Sequence, residues 1–245
     1  MQTTRPFVMT IAGYDPSGGA GVLADIKTME QLQTSGLAVC TAITVQTESE
    51  CLDLEWQPME YITRTAELLL KKYPVQTVKI GVVKDAAMLG EILEMIIRIN
   101  SEIKVIWDPV LKSTSEFAFF DLDTLAQLDK VMDKLCLVTP NWNEYQVLTD
   151  NHLFQGNICS VLMKGGHRTD RPGTDVLLLH GMEIPLQPSD ESRLYTPKHG
   201  SGCVLSSAIA SWLARGEDTE TACRKAKLYV EHYLKSNPSL VGYHS

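Results

Sequence analysis

The run Phe7-Val8-Met9-Thr10-Ile11-Ala12, followed by Gly13-Tyr14-Asp15-Pro16-Ser17-Gly18-Gly19-Ala20-Gly21 and by a helical stretch from Val22 to about Leu32, decides the fold class. The apolar run, broken only by Thr10, reads as a strand covered on both faces. The glycines allow a tight turn, let the backbone approach a ligand closely and leave amides bare at a helix start. A strand that turns directly into a helix is half of a β/α unit. As residues alone, the turn stays open between a ligand cradle and a plain connection. It is not a P-loop, because no Gly-Lys-Ser/Thr follows, and its spacing is not G-x-G-x-x-G.

The same alternation continues along the chain. Strands are expected at Phe7–Ala12, Val39–Val45, Thr77–Val82, Lys104–Trp107, Leu135–Val138, Ser160–Met163 and Thr174–Leu179. A hairpin is expected from the last to Met182–Leu186 across His180-Gly181. Helical stripes lie at Leu89, Ile92, Leu93, Ile96 and Ile99, at Leu205, Ala208, Ile209, Trp212 and Leu213 before Gly216, and at Ala222, Ala226, Tyr229, Val230, Tyr233 and Leu234. No repeat or linker interrupts them. The expectation is an α/β fold in one domain over 1–245, with an open, mostly parallel sheet between helices.

Composition narrows the function. The chain has 245 residues, 44% hydrophobic and 21% charged, which suits one folded core. Lys plus Arg total 22 against 30 acidic residues, a net charge of -8 that argues against nucleic acid or an anionic membrane as partner. Six cysteines at 40, 51, 136, 159, 203 and 223 show neither zinc-site spacing nor a disulfide framework. The apolar stretch near the N-terminus is too short for a signal-peptide core, and a reducing cytoplasm is the expected location.

Chemistry is expected at the strand ends. His199-Gly200-Ser201-Gly202-Cys203 precedes an amphipathic helix, so its amides and the helix dipole suit a phosphate or a developing phosphoryl charge. Cys203 sits in that field, where a thiol pKa is expected to fall. Trp107-Asp108-Pro109-Val110, Thr139-Pro140-Asn141-Trp142-Asn143-Glu144 and Met163-Lys164-Gly165-Gly166-His167 end three further strands. Ligands of open α/β sheets bind at such carboxyl ends. Asp108 and Glu144, with Asn141, are hard oxygen donors suited to Mg2+, and Lys164 adds a positive charge. Each also has an ordinary reading: a turn former, a solvated acid, a helix cap, a surface charge and, for Cys203, a small thiol beside a capping turn. Together they describe a magnesium-dependent phosphoryl-transfer site.

The stretches TIAGYDPSGGAGVLADIKT (10–28), AITVQT (42–47), VKIG (78–81), WDPV (107–110), TPNWNE (139–144), VLMKGGH (161–167) and HGSGC (199–203) resemble, in order, the hydroxymethylpyrimidine/phosphomethylpyrimidine kinase family of thiamine biosynthesis. That family belongs to the ribokinase-like superfamily. The resemblance runs from about residue 7 to about 215. It implies a three-layer α/β/α fold, usually a homodimer, that uses Mg-ATP to phosphorylate a small-molecule pyrimidine alcohol and then its monophosphate. It places Gly13, Asp25, Gln46, Val82 and Val110 on the pyrimidine side and Lys164 on ATP. Asp108, Asn141 and Glu144 fall around magnesium, Gly200, Ser201 and Gly202 form the anion hole, and Cys203 is the base where most superfamily relatives have Asp. Pyridoxal kinase activity is the nearest alternative, and a non-catalytic sensor on the same fold would be expected to lose these groups. The chain departs from the family pattern at Ser201, at Lys198 where Thr is usual, at Val82 and in a C-terminal Asn237-Pro238-Ser239-Leu240-Val241-Gly242. A short 145–160 segment is a further departure, and its covering helix is expected only around Leu148–Phe154.

Overall fold

The computed structural model describes residues 4–113, 117–155, 158–166, 173–190 and 196–245. The strands are β1 (Phe7–Tyr14), β2 (Ser35–Gln46), β3 (Cys51–Trp56), β4 (Val75–Ile80), β5 (Lys104–Trp107), β6 (Leu137–Val138), β7 (Ser160–Met163), β8 (Asp175–Leu179) and β9 (Met182–Leu186). They form one sheet in the order β3-β2-β1-β4-β5-β6-β7-β8-β9. Pairing is parallel from β2 through β7, with β3 antiparallel at one edge and the β8–β9 hairpin at the other.

Helices cover both faces. On one lie α1 (Gly21–Gln31), α5 (Ser201–Ala214) and α6 (Thr219–Lys235); on the other lie α2 (Met59–Lys72) and α3 (Ala86–Ile99), with 3-10 turns over Leu122–Lys130. α4 (Trp142–Asp150) joins the second face through Leu148. Neighbouring strand residues feed opposite cores: Val8, Ile106 and Leu137 pack under α5 and α6, while Met9, Trp107 and Val138 pack under α2 and α3. Burial on both faces explains why these strands read as continuous apolar runs.

The parallel sheet, the expected strands and the hairpin are present. In the hairpin, His180 (φ 51°) and Gly181 (φ 78°) are both left-handed, the conformation that matches strand twist across a two-residue loop. Three expectations need correction. β3 and α2 went unread in the sequence: β3 carries two acids among its six residues, and only Ile62, Ala66 and Leu70 of α2 are buried, too sparse a stripe to stand out. The helix expected around Leu148–Phe154 instead begins at Trp142, because Asn141 and Glu144 close a capping box there. Val82 lies beyond the end of β4, in the stretch leading to α3.

The chain leaves β1 toward β2 on one side and returns to β4 on the other. The crevice of this sheet therefore opens at the carboxyl ends of β1 and β4. Gly13 and Val82 stand there.

Candidate active site

Two glycine turns interlock at this end of the sheet. Gly200 caps α5 with φ 72°, and a Cβ there would fall 2.0 Å from the Gly19 carbonyl oxygen. Gly21 opens α1 at φ 57°, where a Cβ would fall 2.2 Å from the Gly13 carbonyl oxygen. Asp15 staples the turns together. Its carboxylate accepts from the Ser17 and Ala20 amides, both at 2.8 Å, and meets His199 Nε2 at 2.8 Å. Burial would push the Asp15 carboxyl up, but His199 and Ser17 hold it below its ordinary value. The first amides of α5 consequently emerge from a turn whose shape both sequence motifs fix.

A polar cluster faces those amides. Asp108, just past β5, accepts from Lys164 Nζ (2.8 Å), Thr139 Oγ1 (3.0 Å) and Ser206 Oγ (3.1 Å). A Cβ on Gly202 would lie 3.1 Å from Lys164 Nζ, so a side chain there would crowd the lysine beside the helix start. Burial acts to raise the Asp108 carboxyl, and Lys164 and Lys79 outweigh it and keep the group below its usual value. Lys164 in turn titrates above its ordinary value: burial opposes its charge, but Asp108 and Glu144 prevail.

Glu144 is 7% exposed. Its Oε2 accepts from the Asn141 amide (2.7 Å), while Asn141 Oδ1 accepts from the Glu144 amide (2.9 Å). Burial drives the Glu144 carboxyl up to about 7, with Lys164 opposing and Asp108 adding to the rise. The rise comes mainly from desolvation, which Lys164 does not offset. Asn141 is placed as a helix cap, with its side-chain oxygen already engaged.

Among the residues expected on the pyrimidine side, a Cβ on Gly13 would lie 3.8 Å from Val82 Cβ. Gln46, at the end of β2, lines a shallow cleft with Thr47, Glu50, Cys51, Ser113 and His199. Val110 is part-exposed after β5. Asp25 is not with them. It is fully buried, and its oxygens accept from Lys79 (2.8 and 3.1 Å), Ser207 Oγ (2.6 Å) and Thr10 Oγ1 (2.5 Å). Its place is between β1, β4 and α5. His167 of the sequence motif lies outside the described residues.

Cys203 departs from expectation in its charge state. It keeps part of its surface open and takes a hydrogen bond from the Gly21 amide, yet its thiol is pushed up to about 11 from an ordinary value of 9.0. Burial is the main cause; Asp25 and Asp108 add to it, and Lys79 opposes. A rise of about two units corresponds to roughly 3 kcal/mol, more than the ~1 kcal/mol a helix N-terminus ordinarily supplies. Desolvation wins over the dipole.

Lys79, Thr139 and Ser206, which join these clusters, do not stand out in the sequence motifs. For Lys79 the signal was present: a lysine inside the apolar strand Val75–Ile80, where burial demands a partner. Among the described residues, no three His, Cys, Asp or Glu side chains converge as a metal cage.

The sequence profile of the family described as phosphomethylpyrimidine kinase matches residues 15–245. The chain belongs to that family. It is 30% identical over 243 residues to the bifunctional thiamine biosynthesis protein ThiDN of Methanocaldococcus jannaschii, covering 97% of this chain and 55% of that protein. It is 31% identical over 248 residues to the hydroxymethylpyrimidine/phosphomethylpyrimidine kinase of Streptomyces coelicolor, covering 93% of this chain and 88% of that one. The solved phosphomethylpyrimidine kinase of Clostridium difficile superposes with a TM-score of 0.75 at 30% identity, covering 92% and 98% of the two chains. Pyridoxal kinase of Staphylococcus aureus, solved with AMP-PCP, shares the fold at 24% identity and a TM-score of 0.79, covering 96% and 89%. In this phosphomethylpyrimidine kinase family member, the interlocked turns and the Asp108–Lys164 cluster lie where the ribokinase-like sheet opens.

Proposed function

We propose that this chain uses ATP to phosphorylate 4-amino-5-hydroxymethyl-2-methylpyrimidine, and then its monophosphate, in thiamine biosynthesis. The observation that carries the reading is the meeting of the Gly200–Cys203 helix start with Lys164 and Asp108, at the end of the sheet where Gly13, Val82 and Gln46 also stand.

Phosphoryl transfer needs positioning and charge neutralisation more than covalent chemistry from the protein. The amides of Ser201, Gly202 and Cys203 receive the equatorial oxygens of the transferring group, and Lys164 neutralises the phosphate chain. The substrate hydroxyl oxygen attacks the γ-phosphorus as the bond to ADP breaks, and its proton passes to Cys203 Sγ. The thiol is mostly protonated at neutral pH, so this step draws on a minor thiolate form that grows with pH. In the second step the acceptor is a phosphate oxygen already ionised. That step therefore depends on the anion hole and Lys164 and little on Cys203.

Magnesium fits the donor set: Asp108 and Glu144 offer hard oxygens on two buried carboxyl groups that share one lysine, Lys164. Such an ion, arriving with ATP, would be held by these two side chains and would neutralise phosphate charge. A homodimer is proposed on the β2–β3 edge, where Ile43, Val45 and Leu52 are 46%, 57% and 65% exposed. The six free cysteines suit a reducing cytoplasm.

The test is ATP turnover on the pyrimidine alcohol, on its monophosphate and on pyridoxal. Conversion of both pyrimidines with kcat/KM well above that for pyridoxal is expected. Pyridoxal as the better acceptor overturns the assignment. Light scattering checks the dimer.

A further inference from the structure

Two stretches that depart from the family pattern meet in space. Lys198 is 6% exposed. Its ammonium donates to the Asn237 carbonyl, to Asn237 Oδ1 at 3.0 Å and to the Ser239 carbonyl at 2.5 Å. All three of its donors go to one short C-terminal turn. That turn is also tied within itself: Asn237 Oδ1 accepts from Ser239 N (2.9 Å), and Asn237 Nδ2 donates to the Val241 carbonyl (3.0 Å).

From there the chain crosses behind the glycine turns. The Leu240 carbonyl accepts from the His199 amide at 2.9 Å, and Tyr233 Oη donates to the His199 carbonyl at 3.4 Å. Both backbone polar groups of His199 are therefore satisfied by the C-terminal part of the chain. Val241 Cγ2 lies 3.4 Å from where a Cβ on Gly19 would stand. Gly242 lies flat on Tyr233, where a Cβ would come within 2.6 Å of the ring, and its amide donates to Tyr233 Oη at 3.2 Å.

We propose that Lys198 is a positioning residue: it latches the 237–242 segment behind the His199–Gly200 turn and so fixes the direction of the first amides of α5. This hold on the His199 backbone adds to that of Asp15 on the His199 ring. Gly200 is left-handed, and Gly200 and Gly202 have no side chains of their own to lock the helix start. An error of an ångström in groups that orient a reacting phosphate is costly in rate. The rate part of this inference rests on the kinase reading; the latch itself does not.

The experiment compares wild type with Lys198→Met and with Asn237→Ala, which loosens the latch from the other side without removing the cation. Hydrogen exchange and steady-state kinetics are measured on the full chain, below the unfolding temperature of each variant. Exchange at the 199–203 amides is expected to quicken about tenfold, with the α3 amides unchanged. The kcat for the pyrimidine alcohol is expected to fall about tenfold, with its KM within about twofold of wild type. Unchanged exchange at 199–203 in both variants overturns the latch. Faster exchange with unchanged kcat overturns the positioning role. A wild-type chain that phosphorylates no pyrimidine contradicts the kinase reading alone, and the exchange measurement still decides the latch.

Discussion

Lys79 Nζ lies 2.8 Å from Asp25 Oδ2, and neither side chain exposes any surface. The pair joins β4 to α1, and Ser207, on the helix that carries Cys203, donates to the same carboxylate. Removing one partner leaves a buried charge unmatched. Lys79→Met is therefore expected to cost about 3–5 kcal/mol in denaturant unfolding, and Lys79→Met with Asp25→Asn to recover part of the loss. A single variant as stable as wild type would show that the pair contributes nothing net.

Cys203→Ala is expected to lower kcat on the pyrimidine alcohol by about tenfold or more, with both Michaelis constants little changed and the monophosphate step less affected. Because the thiol titrates near 11, the wild-type rate should climb with pH between about 7 and 9 as the thiolate fraction grows. Cys203→Ala should lose that climb, and Cys203→Asp should regain activity without it. Parallel pH profiles for wild type and Cys203→Ala would refute the base role.

Glu144 supplies a stability signature. Its folded value of about 7 lies above the ordinary 4.5, so the folded state holds the proton more tightly than the unfolded chain. The resulting stability is complete below about 4.5 and is lost as pH rises through 7. The loss is on the order of 3 kcal/mol. Glu144→Gln keeps a cap acceptor and lacks the titration, so its stability relative to wild type should rise from pH 5 to pH 8. It should also need more magnesium for turnover. A pH-independent difference would remove the raised carboxyl.

Gln46→Leu probes the pyrimidine end. An amide both donates and accepts, which matches a ring nitrogen beside an exocyclic amine. Losing it is expected to raise the pyrimidine KM by about 1–3 kcal/mol equivalent while the KM for ATP holds. Kinetic constants within about twofold of wild type would assign Gln46 a hairpin role only.

The sequence determined the architecture and the chemical inventory. Continuous apolar runs such as Phe7–Ala12 and Lys104–Trp107 point to a parallel sheet covered on both faces, since antiparallel strands more commonly leave one face to solvent and alternate. The glycine turns were legible because positive φ and close backbone approach leave few other residues possible at Gly21 and Gly200. Charge states and partners were not legible, because they depend on what the fold brings near each group. Asp25 reads as a ligand contact in the motif, but β4 carries Lys79 to it across 54 positions of sequence. Cys203 reads as an activated thiol at a helix start, but the packing of α1 against α5 desolvates it. Lys198 reads only as a departure from the family pattern beside the glycine turn, and the return of the chain after α6 supplies the carbonyls that bury it. Local patterning fixes which backbone conformations are affordable, whereas desolvation and Coulomb energy depend on neighbours that only the tertiary structure assembles.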